Sequence, residues 1–88
     1  MTKKDYRDRT ELASNILDAA NGGATKTKIM YEAFLSYAQL KEYLAMLIQN
    51  DLISQEIGGI YRTTSKGIKF LEPSRQLGGL LIPISQQN

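Results

Sequence analysis

The sequence predicts an α+β domain: a bundle of three helices, then a two-stranded β-hairpin, then a short C-terminal helix. Three observations predict it. Apolar residues recur with a helical period three times between Arg7 and Asn50. The period then shortens, and two strand-like runs flank Gly58-Gly59. Finally, Thr64 and Pro73 bracket one more short helical run. Helices repeat every 3.6 residues and strands every two, so a change of period marks a change of element.

The first helix starts near Arg7. Leu12, Ile16, Leu17 and Ala20 share one face, while Asp8, Arg9, Glu11, Ser14, Asn15 and Asp18 take the other. Asn21-Gly22-Gly23 ends it, because glycine accepts the left-handed backbone that helix C-termini often require. A second, short helix follows Thr25, whose hydroxyl suits an N-cap. Ile29, Met30 and Ala33 face the core, and Tyr31 is expected there too. A helix this short is stable only through packing. Phe34-Leu35 forms an apolar turn.

Ser36 is the expected N-cap of a third helix. Leu40, Tyr43, Leu44, Leu47 and Ile48 make its buried stripe, opposite Gln39, Lys41, Glu42, Met46 and Gln49. Asn50-Asp51 ends it, with Asn50 suited to a left-handed cap. Residues 52–57 and 60–63 read as strands joined by a primed Gly-Gly turn. Thr64 then caps a helix carrying Ile68, Phe70 and Leu71, and Pro73 stops it. The domain is expected over residues 7–72, after a flexible 1–6. Residues 73–88 hold an apolar run, Leu80-Leu81-Ile82-Pro83-Ile84. That run has three readings: it packs back on the domain, adds a strand, or forms a dimer contact.

Composition excludes several chemistries. Without cysteine there is no disulfide framework and no thiolate metal site. Without histidine the commonest general base is missing, along with the usual Ser-His and Cys-His pairs. The nine carboxylates are scattered and match no paired-carboxylate or metal motif. The expectation is a protein that is not an enzyme, with no cofactor and no evident small-molecule substrate. No apolar run approaches the roughly 20 residues that span a bilayer, and no signal peptide is visible, so a cytoplasmic protein is expected. The net charge of +2 and pI near 9.0 are compatible with nucleic acid without requiring it. A chain of 88 residues buries only about 60–65% of its unfolded surface, which makes dimerisation a plausible source of stability.

The order of elements is the functional signal. Two helices joined by a very short turn form a helix-turn-helix, and a hairpin after the third helix forms a wing. In such units the third helix enters the major groove while the second crosses the backbone. Lys26 and Lys28 at the start of the second helix are placed for phosphates. The third helix presents Tyr37, Gln39, Lys41 and Glu42. Candidate DNA contacts are therefore Lys26, Thr27, Lys28, Ser36, Tyr37, Gln39, Lys41 and Arg62. Several have a plain structural alternative. Tyr37 can cover the turn beside Phe34, Gln39 can be a surface helix former, and Arg62 can pair across the hairpin with Glu56 or Gln55. The N-terminal Lys3, Lys4, Arg7 and Arg9 alternate with acids and read as a solvated face.

The local strings add a resemblance. Gly22-Gly23-Ala24-Thr25-Lys26-Thr27-Lys28-Ile29-Met30-Tyr31, Leu35-Ser36-Tyr37-Ala38-Gln39-Leu40-Lys41-Glu42-Tyr43-Leu44, and Tyr61-Arg62-Thr63-Thr64 with Lys66-Gly67 and Phe70-Leu71-Glu72 resemble an archaeal family of winged helix-turn-helix regulators. The resemblance implies a winged-helix fold, binding of double-stranded DNA, and a homodimer that regulates transcription. Some relatives extend the last helix into a coiled coil; here Pro73 ends it. The alternative is a winged helix that serves as a protein-interaction module without DNA binding, since fold does not settle function.

Overall fold

The computed structural model describes residues 7–71. Asp8 opens the first helix, α1 (Arg9–Ala19), by accepting a 2.8 Å hydrogen bond from the Glu11 backbone N–H. The helix thus starts two residues later than Arg7, because the Asp8 carboxylate satisfies an otherwise orphan donor. After Gly22 and Gly23, both at positive φ, the chain forms a short strand, β1 (Ala24–Thr25). Thr25 belongs to β1 and also caps α2 (Lys26–Glu32), its hydroxyl accepting from Lys28 N–H at 3.2 Å.

Helix α3 (Tyr37–Gln49) begins in a capping box. Ser36 Oγ accepts from Gln39 N–H at 3.1 Å, and Gln39 Oε1 accepts from Ser36 N–H at 3.0 Å. The two groups satisfy each other's free backbone donors. At the far end, Leu52 N–H donates to the Leu47 carbonyl at 2.8 Å and Asp51 N–H to the Ile48 carbonyl at 3.0 Å. This Schellman pair puts Asp51, not Asn50, in the left-handed region at φ 62. Asn50 instead donates its side-chain amide to the Met46 carbonyl.

Strands β2 (Ile53–Glu56) and β3 (Ile60–Thr63) form the expected hairpin. The last pair is Glu56 with Ile60, so the loop has three residues, Ile57-Gly58-Gly59, rather than two. Both glycines sit at positive φ, where a residue with a Cβ would be strained. Strand β1 pairs antiparallel with β3, making a three-stranded sheet in the order β1-β3-β2. Two residues are too few to show an alternating pattern, which is why the sequence did not announce this strand. Thr64 caps α4 (residues 65–71): its hydroxyl accepts from Gly67 N–H at 3.0 Å and donates to the Asp51 carbonyl at 2.6 Å.

The core is one cluster. Ile16, Leu17, Ile29, Leu40, Leu47 and Ile53 are its fully buried large side chains, drawn from α1, α2, α3 and β2. Burying each such side chain contributes about 1.5–3 kcal/mol. Thr63 is the buried polar member, and its hydroxyl donates to the Leu17 carbonyl at 2.6 Å, tying the wing to α1. Three positions differ from expectation. Tyr31 is 73% exposed, because Ile29 and Ala33 take the buried face of α2 and a residue two positions from each points away. Phe70 is 38% exposed, while Leu71 carries the burial for α4. Met46, expected on the outer face of α3, is partly buried against the core. The expected 1–6 and 73–88 segments, with the Leu80–Ile84 run, lie outside the described residues.

Candidate nucleic-acid interface

Helix α3 rests on Leu40, Tyr43, Leu44 and Leu47, and so turns Tyr37, Ala38, Lys41, Glu42 and Ala45 to solvent. Its first turn lies beside the first turn of α2. Lys26, Thr27 and Met30 from α2, with Tyr37 and Leu40 from α3, line one shallow depression. The Lys41 ammonium stands 5.6 Å from the centre of the Tyr37 ring, and the Lys26 ammonium 6.0 Å from that of Tyr61. Lysine, hydroxyl and aromatic groups therefore meet on a single surface where the two helices begin.

The first turn of α2 holds two lysines and no acid. A helix N-terminus carries partial positive charge and favours carboxylates, so these lysines sit there at a small cost to folding. Lys28 leans toward Glu32 at 3.9 Å, with both side chains at least half exposed. An exposed pair of that kind is worth under about 1 kcal/mol, and it leaves Lys28 able to reorient.

Three other expected site residues, Ser36, Gln39 and Arg62, are engaged within the protein. Gln39 is half-buried, with its Oε1 in the capping box with Ser36. Arg62 follows its structural alternative. Its Nε donates to Glu56 at 2.7 Å, a second nitrogen reaches the other Glu56 oxygen at 3.2 Å, and a third donates to the Gly22 carbonyl at 2.8 Å. The hydrogen bond from Arg62, with its charge, holds the Glu56 carboxyl below the usual carboxylate range. The guanidinium thus stitches the wing to the turn after α1.

One residue of this region was not apparent in the sequence. The Arg7 guanidinium donates to the Ala33 and Phe34 carbonyls at the end of α2, the latter at 2.8 Å. A cation suits a helix C-terminus, but the partners lie 26 and 27 residues away, beyond any local pattern. Arg7 therefore braces the turn that sets α2 against α3. Among the described residues, no helix is long and apolar enough to cross a membrane, and no three acidic side chains gather as a metal site would require.

Comparison with known proteins agrees with this architecture. An uncharacterised protein of the archaeon Methanocaldococcus jannaschii is 35% identical over 78 residues, covering 88% of this chain and 36% of that protein. The chain thus spans about a third of that relative's length. The crystal structure of Sso10a-2, a DNA-binding protein from Sulfolobus solfataricus, matches with a TM-score of 0.71 at 22% identity, over 90% of this chain and 86% of that one. That likeness is one of fold. A winged helix-turn-helix family model matches residues 6–80, and the chain belongs to the winged helix-turn-helix family.

Proposed function

We propose that this chain binds double-stranded DNA through the first turns of α2 and α3, as a transcriptional regulator acting as a homodimer in the cytoplasm. The observation that carries the reading is the shared surface of Lys26, Thr27 and Tyr37, with Lys41 over the Tyr37 ring. Its chemistry matches what phosphate and sugar contacts use: lysine, hydroxyl and tyrosine. The structural likeness to a protein described as DNA-binding supports it.

The roles divide by position. Lys26 and Lys28 neutralise phosphates, with Thr27 donating its hydroxyl to a phosphate oxygen. Lys41 and Tyr37 lie along the edge of the groove that α3 enters. Ser36 and Gln39 set the start of α3, so their part is to position it. Arg62 reaches DNA only by leaving Glu56. Residues 7–72 form the binding unit. The homodimer follows the geometry of such folds, in which two recognition helices read half-sites about one helical turn apart.

Fluorescence anisotropy against random-sequence duplex DNA at several salt concentrations tests the reading. Affinity should fall log-linearly with salt, with a slope of about 0.9 per phosphate contacted. Absence of binding at low salt would reject it in favour of a protein-interaction module.

A further inference from the structure

Phe34 lies in the turn between α2 and α3. Its ring is 79% exposed, and its backbone sits at φ 54. That left-handed region penalises any residue with a Cβ and favours glycine. An aromatic ring usually repays such a position by burial, yet this one is not part of the buried cluster. Glycine would suit the turn better and leave less apolar surface in water. The fold carries Phe34 at a cost and draws no core packing from it.

The backbone that carries the ring is nonetheless firmly held. Phe34 N–H donates to the Tyr31 carbonyl at 3.3 Å, and Leu35 N–H to the Met30 carbonyl at 3.0 Å. Arg7 holds the Ala33 and Phe34 carbonyls. Two residues further on, Ser36 caps α3, and Tyr37 follows, 58% exposed beneath the Lys41 ammonium. Lys26 and Lys28 lie in the first turn of the preceding helix. An exposed apolar ring thus stands on a firmly held turn that leads into α3, three residues before Tyr37 of the lysine-bearing surface.

A duplex is complementary to such a surface with an apolar ring at its border. Phosphates match the lysines, and the apolar group that a duplex displays in its major groove is the thymine methyl. We propose that Phe34 is a specificity-determining contact, its ring packing on a thymine methyl beside the start of α3. This rests on the reading of the chain as a duplex-DNA binder.

The test uses two duplexes of alternating sequence, one adenine–thymine and one with uracil in place of thymine, which differ only in the methyl groups. Wild type should bind the thymine duplex roughly three- to fourfold tighter, the effect of burying one methyl. Phe34→Gly should bring that ratio to about one and keep the salt slope, since no phosphate contact is lost. Its melting temperature should be at least that of wild type, and its sedimentation unchanged. Equal wild-type affinities, or a thymine preference that survives Phe34→Gly, would overturn the proposal. So would a clear fall in melting temperature, which would make the ring a folding element. A changed oligomeric state would assign the ring to a contact between copies. If wild type binds neither duplex at low salt, the DNA-binding reading itself fails. Salt-dependent binding without methyl preference defeats only the role of Phe34.

Discussion

Gly67→Ala is the substitution whose outcome the packing determines most sharply. By helix propensity it should help, since alanine exceeds glycine by about 1 kcal/mol inside a helix. The structure predicts the reverse. A Cβ on Gly67 would lie 2.3 Å from the Leu52 carbonyl oxygen and 2.5 Å from Thr63 Cγ2, against an ordinary contact of 3.4 Å or more. The carbonyl is backbone and cannot swing aside. It also accepts the Thr64 N–H at 3.0 Å, the bond that anchors the start of α4. Relieving the overlap means moving α4 away from β2 by about an ångström, at about 1–3 kcal/mol for the overpacking. Weakening the Thr64 bond adds about 1 kcal/mol. Setting these against the propensity gain leaves a net loss of about 2 kcal/mol. For a domain of this size that lowers the melting temperature by about 8–16 °C. Thermal denaturation followed by circular dichroism reads it directly. A Gly67→Ala protein as stable as wild type would refute the close seating of α4.

Three further outcomes follow from single contacts. Ser36→Ala breaks the capping box at α3 and should cost about 1 kcal/mol in urea denaturation. Thr63→Val keeps the shape but strands the Leu17 carbonyl that now accepts the buried hydroxyl, for a loss of about 1–3 kcal/mol by the same measurement. Glu56→Gln concerns pH. Because the folded Glu56 carboxyl is held below its ordinary value of 4.5, its pair with Arg62 stabilises the protein above that pH, and the benefit fades as pH falls through the folded value. Wild type should therefore melt above Glu56→Gln at pH 7, and the gap should close in acid.

Much of this fold is written locally. Thr25, Ser36 and Thr64 act within three residues of themselves, so their caps could be read from the chain alone. The buried stripe of α3 is likewise a matter of spacing. What escaped the sequence is decided over longer distances. Strand β1 exists because β3, some 36 residues on, offers a free edge to Ala24 and Thr25. The role of Arg7 depends on where α2 ends. Tyr31 was misplaced because a helix of 7 residues has room for few buried positions, and Ile29 and Ala33 fill them. At the interface, the lysines of α2 were legible as residues opposing the helix dipole. The capture of Arg62 by Glu56 and the Gly22 carbonyl required the sheet register and the turn after α1 together.

The proposed DNA-binding surface is made by the paired first turns of α2 and α3. Comparing the salt dependence of duplex binding for wild type and the Lys26→Ala, Lys28→Ala double variant tests it most directly. Loss of two phosphate contacts should lower the log–log slope by about one to two units and weaken binding to all sequences alike. An unchanged slope, with the protein still folded, would place the DNA-binding surface elsewhere on the molecule.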